Sequence, residues 1–254
     1  MEIIGGLKGK CVIVTGGASG IGAASVQNLA ISGCNILIAD MNEEAGQALA
    51  DDINKAGDAR AAFIRTDVSI ESDVKAMVDK AVSTFGRLDG AINAAGVPNN
   101  GKILHEMTAE EFIRVTDINL VGMFLCVKYQ IQAMLENGGG SIVAISSTAS
   151  IMGLPNTAEY CASKAGVNGL VRAASIDYAQ KGIRINAILP GATWTPLAQK
   201  AVDINPNLKG TAEFFPMKRY AQPEEIAAPS VWLLSDQASY VTGTAIPIDG
   251  ALSV

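Results

Sequence analysis

Short runs of consecutive apolar residues alternate along this chain with longer stretches in which apolar positions recur every three or four residues. Val12-Ile13-Val14, Asn35 to Ala39, Ala61 to Arg65, Leu88 to Asn93, Ser141 to Ser146, Ile183 to Leu189 and Ala245 to Ile248 are the short runs. Most are continuous rather than alternating with polar residues, the pattern of strands covered on both faces. Between them Ile21 to Ser32, Asn42 to Ala56, Ile70 to Phe85, Met107 to Glu136, Ala158 to Gln180 and Pro223 to Leu234 read as helices. Pro190 stops the sixth run, and Pro223 stands in a first helical turn, where its missing N–H is not needed. Strand–helix alternation over this length predicts an α/β fold, a doubly wound parallel sheet flanked by helices on both faces. No linker, composition break or repeat interrupts it, so residues 1–254 read as a single domain. The least regular segment, 192–217, gathers Pro196, Pro206 and Pro216 with Trp194, Phe214 and Phe215. It reads as a substrate lid or as an irregular helical excursion.

Composition narrows the class. Of 254 residues, 49% are hydrophobic and 17% charged, enough for a sizeable core and against disorder. The net charge of −6 offers no basic field, which predicts no nucleic-acid partner and no anionic membrane surface. Without a run of about 18 apolar residues no membrane span is expected, and Met1 to Leu7 lacks the basic and apolar regions of a leader. Cys11, Cys34, Cys126 and Cys161 form no metal-ligand pattern, so no metal is expected, and free thiols suit a cytoplasmic location. Cys11 and Cys34 read as buried thiols and Cys161 as a small helix residue. His105, the sole histidine, has no partners for a metal site and lines the cleft at most.

Two stretches carry chemistry. After the first strand comes Thr15-Gly16-Gly17-Ala18-Ser19-Gly20-Ile21-Gly22, and a helix follows. Glycines there allow a tight turn and let backbone N–H groups approach a pyrophosphate at a helix N-terminus. Asp40 closes the second strand, near the roughly 20-residue offset expected of a carboxylate that binds a ribose 2′-hydroxyl. It would repel a 2′-phosphate, so the expected cofactor is NAD. The other reading of Asp40 is a cap for the helix starting near Asn42. The second stretch is Tyr160-Cys161-Ala162-Ser163-Lys164. Helical spacing stacks a phenol and an ammonium on one face. A nearby cation favours the phenolate and makes an acid/base device near neutral pH. Taken alone, such a pair is as a rule only a pair of surface neighbours.

Together, Thr15-Gly16-x-x-x-Gly20-x-Gly22 and Tyr160-x-x-x-Lys164 closely resemble the motifs of the short-chain dehydrogenases/reductases, and the likeness runs over nearly the whole chain. Asp67-Val68 resembles the pair that contacts adenine. Asn93-Ala94-Ala95-Gly96 resembles the fourth-strand motif, with Ala94 in place of a second Asn. Asn119 falls where the family has its active-site asparagine. Ser147, 13 residues before Tyr160, has the spacing of the catalytic serine, with Ser146 as its less favoured neighbour. Pro190-Gly191 followed by Thr193 and Thr195 resembles the nicotinamide-side segment. Ala251 stands where many relatives have a second Gly after Asp249-Gly250.

The resemblance implies a Rossmann-type fold and an NAD-dependent interconversion of a secondary alcohol and a ketone. Tyr160 would move the proton, Ser147 would hold the substrate oxygen, and Lys164 would lower the Tyr160 pKa and hold the nicotinamide ribose. Asn119 would fix a water linking Lys164 to solvent. Gly16, Ser19, Gly20, Ile21, Gly22, Asp40 and Met41 would cradle the cofactor. A homotetramer pairing its long helices and C-terminal segments is implied as well. The segments expected to face substrate, Ala149 to Leu154, Pro98-Asn99 and Thr193 to Phe215, offer Ala149, Ile151, Met152, Leu154, Trp194, Leu197, Phe214 and Phe215. No Arg or Lys among these side chains would clamp a carboxylate or phosphate, which suggests a hydrophobic, alicyclic, terpenoid or steroid-like small molecule. A 3-oxoacyl-carrier reductase, a polyol or sugar dehydrogenase, and a non-catalytic dinucleotide-binding regulator are the alternatives.

Overall fold

In the computed structural model, described for residues 5–57, 59–196, 198, 199, 202, 212, 213 and 215–254, the apolar runs become seven strands. They are β1 (Cys11–Thr15), β2 (Asn35–Asp40), β3 (Arg60–Arg65), β4 (Gly90–Asn93), β5 (Gly140–Ile145), β6 (Ile183–Pro190) and β7 (Ala245–Ile248). The helices are α1 (Gly20–Ile31), α2 (Glu43–Ala56), α3 (Glu71–Phe85), α4 (Ala109–Thr116), α5 (Gly122–Glu136), α6 (Ala158–Tyr178) and α7 (Pro223–Leu234). All pairings are parallel, in the order β3-β2-β1-β4-β5-β6-β7. The winding reverses between β1 and β4, and the crevice beyond their carboxyl ends is where such sheets bind ligands.

Why the strands read as unbroken apolar runs is visible in β1. Ile13 faces a core with Met77, Met123 and Val127, while Val12 and Val14 face another with Val26, Leu29 and Val231. Side chains alternate between two helical layers, so Cys11 to Val14 are all apolar. Each such side chain contributes about 1.5–3 kcal/mol by leaving water.

Boundaries move where capping chemistry overrides periodicity. The helix expected from Met107 starts at Ala109, because Thr108 accepts from the Glu111 N–H and the Glu111 carboxylate accepts from that of Thr108. The helix expected to be regular to Glu136 is broken by one π turn, Asp117–Val121, which joins α4 to α5. Such turns frequently mark functional positions, and this one carries Asn119. At 28 residues the helical run Ala109–Glu136 is long and apolar enough, by length and composition only, to cross a membrane, and half of its most apolar window is buried inside the protein. That is the position of a core helix.

Candidate active site

The glycine turn is built by close approach. Gly16 has φ +65°, and a Cβ there would lie 2.8 Å from the Ala95 nitrogen. A Cβ on Gly22 would lie 2.0 Å from the Gly16 carbonyl oxygen, so α1 packs on the turn only because that atom is missing. Gly20, at φ +52°, faces Thr195 across the crevice. Asp40 joins the turn to β2. Its Oδ2 accepts from the Ala18 N–H at 3.0 Å and its Oδ1 from the Asn42 N–H at 2.9 Å. Asn42 is the cap of α2, its side chain accepting from Ala45, so the capping reading of Asp40 gives way to a carboxylate poised over the turn. Met41 beside it is exposed. Asp67 accepts from the N–H and hydroxyl of Ser69, and Val68 is buried against Gly122.

On the other side of the crevice, Gly191 approaches Asp249 closely, and Thr193 is nearly buried, its hydroxyl donating to the Gly191 carbonyl. The irregular segment is tied at its base by bonds from Trp194 to Ala221 and from Ala221 to Ala192. Trp194 and Phe215 both pack edge-on against Tyr220, at 5.1 and 5.5 Å between ring centroids. Leu197 and Phe214 lie outside the described residues. Ala149 is buried beneath Ser147, whereas Ile151 and Leu154 are exposed at the mouth.

The catalytic candidates converge from three elements. Ser147 leaves β5 in extended backbone and accepts from the Ala149 N–H at 3.1 Å. It also hydrogen-bonds Tyr160. Its neighbour Ser146 is buried and donates instead to the Lys164 carbonyl. Tyr160 and Lys164 share a face of α6, with the ammonium 5.6 Å from the ring centroid. Lys164 is 5% exposed and donates to the Ile145 carbonyl at 3.0 Å. Burial pushes its ammonium down from 10.5 to about 8. The Tyr160 phenol is pushed above its ordinary value by burial, with the Ser147 hydrogen bond opposing. The Lys164 ammonium lies over the ring face and is itself buried.

Asn119 is 1% exposed. Its Oδ1 accepts from the Val97 N–H at 2.8 Å, and its amide donates to the Val97 carbonyl at 3.0 Å and the Ser163 hydroxyl at 3.4 Å. A Cβ on Gly96 would crowd Asn119 Oδ1 at 3.0 Å, so the backbone here also passes close to this candidate. Asn93 does not point into the crevice. It and Gln130 exchange two 2.8 Å amide bonds in the core, holding β4 to α5. Ala94 continues that turn, its N–H donating to Thr15.

Sequence reasoning missed Gln130, Ser163, Tyr220 and Glu159. For Gln130 the signal was present, a lone amide within an apolar helical stretch. His105 is exposed in a short turn, and Cys11, Cys34 and Cys126 are buried thiols pushed up to about 12, as burial dictates. Among the described residues no cluster has the make-up of a metal site.

A family model described as Enoyl-(Acyl carrier protein) reductase matches residues 16–253. The chain is 46% identical to 2,5-dichloro-2,5-cyclohexadiene-1,4-diol dehydrogenase of Sphingobium indicum over 249 residues, covering 97% of this chain and 98% of that one. It is 41% identical to levodione reductase of Leifsonia aquatica over 251 residues, 96% and 94% of the two chains. Cyclohexanol dehydrogenase of an Acinetobacter species is 40% identical over 242 residues, 95% and 94% of the two chains. A crystal structure of levodione reductase superposes with a TM-score of 0.92 at 39% identity, covering 97% of this chain and 98% of that one.

Proposed function

The chain belongs to the short-chain dehydrogenase/reductase family, and on that premise we propose that it is an NAD-dependent dehydrogenase interconverting a hydrophobic alicyclic secondary alcohol and its ketone. The observation that carries this reading is the convergence of Ser147, Tyr160 and Lys164 at the switch-point crevice, beside a glycine turn overlooked by Asp40. The turn fits a dinucleotide: its Gly16–Gly22 contact leaves no space for a side chain, and backbone N–H groups open onto the start of α1.

When bound, the nicotinamide supplies the hydride chemistry. Gly16, Ser19, Gly20, Ile21 and Gly22 would hold the pyrophosphate and Asp40 the ribose hydroxyls. Asp67, Val68 and Met41 would flank the adenine. Ala94 and Gly96 would form the turn under the cofactor, braced from the core by Asn93 through Gln130, and Pro190, Gly191, Thr193 and Thr195 would line the nicotinamide side. Ser147 donates to the substrate oxygen as charge develops there. Tyr160 removes the hydroxyl proton in oxidation and returns it in reduction. Lys164 brings positive charge under the ring, and Asn119 keeps the Val97 backbone beside both. A 2′-phosphate would meet the Asp40 charge, and no Lys or Arg stands in Gly16–Ser25 or Met41–Ala50 to accept it.

The names of the three relatives point to ring alcohols and ketones. Ile151, Leu154, Trp194 and Phe215 offer this chain an apolar wall of the same character. Ile113, Phe124 and Ile176 leave apolar surface exposed on α4, α5 and α6, which supports a homotetramer, testable by light scattering. The deciding experiment is absorbance at 340 nm with NAD and NADP against cyclohexanol, cyclohexanediols, acyclic polyols and 3-oxoacyl thioesters. Turnover of ring alcohols with NAD is expected, and Asp40→Ala should narrow the NAD preference. Turnover confined to polyols or thioesters, or a preference for NADP, overturns the reading.

A further inference from the structure

Glu159 looks in the sequence like an ordinary solvated charge in the first turn of a helix. The structure buries it completely, at 0% exposure, immediately before Tyr160. Its Oε1 accepts twice from one residue, from the Asn100 N–H at 2.7 Å and the Asn100 side-chain amide at 3.2 Å. Its Oε2 has no hydrogen-bond partner among the described residues. Asn100 in turn accepts from Arg114 of α4 at 2.7 Å, so the amide relays a guanidinium toward the buried carboxylate.

A buried carboxylate with a bare oxygen destabilises a fold unless something else requires it. Asn100 sits on the loop that leaves β4 at the carboxyl edge of the sheet and passes the catalytic groups at Gly96. That loop is held at Val97 by the Asn119 amide and at Asn100 by Glu159. Only Pro98 and Asn99 lie between the two clamps, and Asn99 turns its side chain back onto the Gly101 N–H. Resting on the function proposed above, we propose that Glu159 is a positioning residue: its Oε1 fastens this loop to the first turn of α6, so that the wall of the substrate crevice and Tyr160 keep one fixed separation. The acceptor oxygen matters to the clamp and the charge does not.

The test compares Glu159→Ala, Glu159→Gln and Asn100→Ala with the wild type. The readouts are hydrogen exchange across Val97–Gly101, dinucleotide affinity by fluorescence, and kcat and KM for the best ring alcohol. Glu159→Ala should speed exchange at the Asn100 amide about 10-fold or more. It should lower kcat/KM about 10-fold, mainly through KM, with dinucleotide affinity within about 2-fold of wild type. Glu159→Gln retains the acceptor and should restore both readouts to within about 2-fold. Asn100→Ala, a loop change that leaves the α6 core intact, should fall between them and decides the matter if Glu159→Ala does not fold. Unchanged exchange and kcat/KM in Glu159→Ala or Asn100→Ala overturns the proposal, as does Glu159→Gln behaving like Glu159→Ala. If the wild type turns over no ring alcohol, the proposed function fails by itself and the exchange readout still decides the clamp.

Discussion

Replacing Lys164 with Met should make the dinucleotide-free protein more stable at neutral pH while abolishing its activity. The ammonium is buried, with the Ile145 carbonyl as its bonded partner at 3.0 Å, and burial lowers its pKa from 10.5 to about 8. The unfolded chain therefore holds this proton more tightly than the folded one. Below pH 8 the wild type carries the full cost of the buried charge, about 3 kcal/mol at about 1.4 kcal/mol per pKa unit. The cost falls as pH rises from 8 and is gone above 10.5. Met has a similar length and no charge. Losing the bond to Ile145 subtracts about 1–2 kcal/mol at every pH, which leaves a net gain of about 1–2 kcal/mol at pH 7. The decisive readout is the slope. Urea unfolding of both proteins from pH 7 to 10 should show the Met variant's advantage shrinking by about 1.4 kcal/mol per pH unit above 8 and then reversing. A difference that stays flat from pH 7 to 10 would refute the account of a dehydrated ammonium, whatever the activity loss.

Tyr160→Phe should leave dinucleotide binding intact and cut turnover by about 10² or more; near-normal turnover would sink the proton-transfer role. Gly22→Ala should fail to bind dinucleotide and lose more than about 2 kcal/mol in urea unfolding, because the new Cβ would lie 2.0 Å from a backbone oxygen; ordinary binding by this variant would show that the turn can shift. Ala251 is held at φ +69°, in the left-handed region that favours Gly. Ala251→Gly should accordingly raise stability by about 0.5–1 kcal/mol with kcat unchanged, read by thermal or urea unfolding.

The glycine turn was legible because its chemistry is local: strand, turn and helix follow one another, and Gly is the only residue that allows Gly16 to pass Ala95. The proposed acid/base pair was legible for the same reason, since helical spacing by itself puts Tyr160 and Lys164 on one face. The buried polar contacts were not. Asn93 reads as a cofactor residue until Gln130, 37 positions away, is found engaging both ends of its amide. Asn119 reads as lying within a regular helix until the π turn and Val97 are seen around it.

The sequence by itself determined the alternation of strands and helices, the winding of the sheet and the candidates for the reacting groups. Each follows from spacing along the chain and from rules that hold for any chain. Only the tertiary structure decided the electrostatics of those groups. Whether Lys164 is dry, whether Tyr160 is a phenol and whether Glu159 is enclosed depend on which distant surfaces close over them. Burial, unlike periodicity, is a property of no single segment.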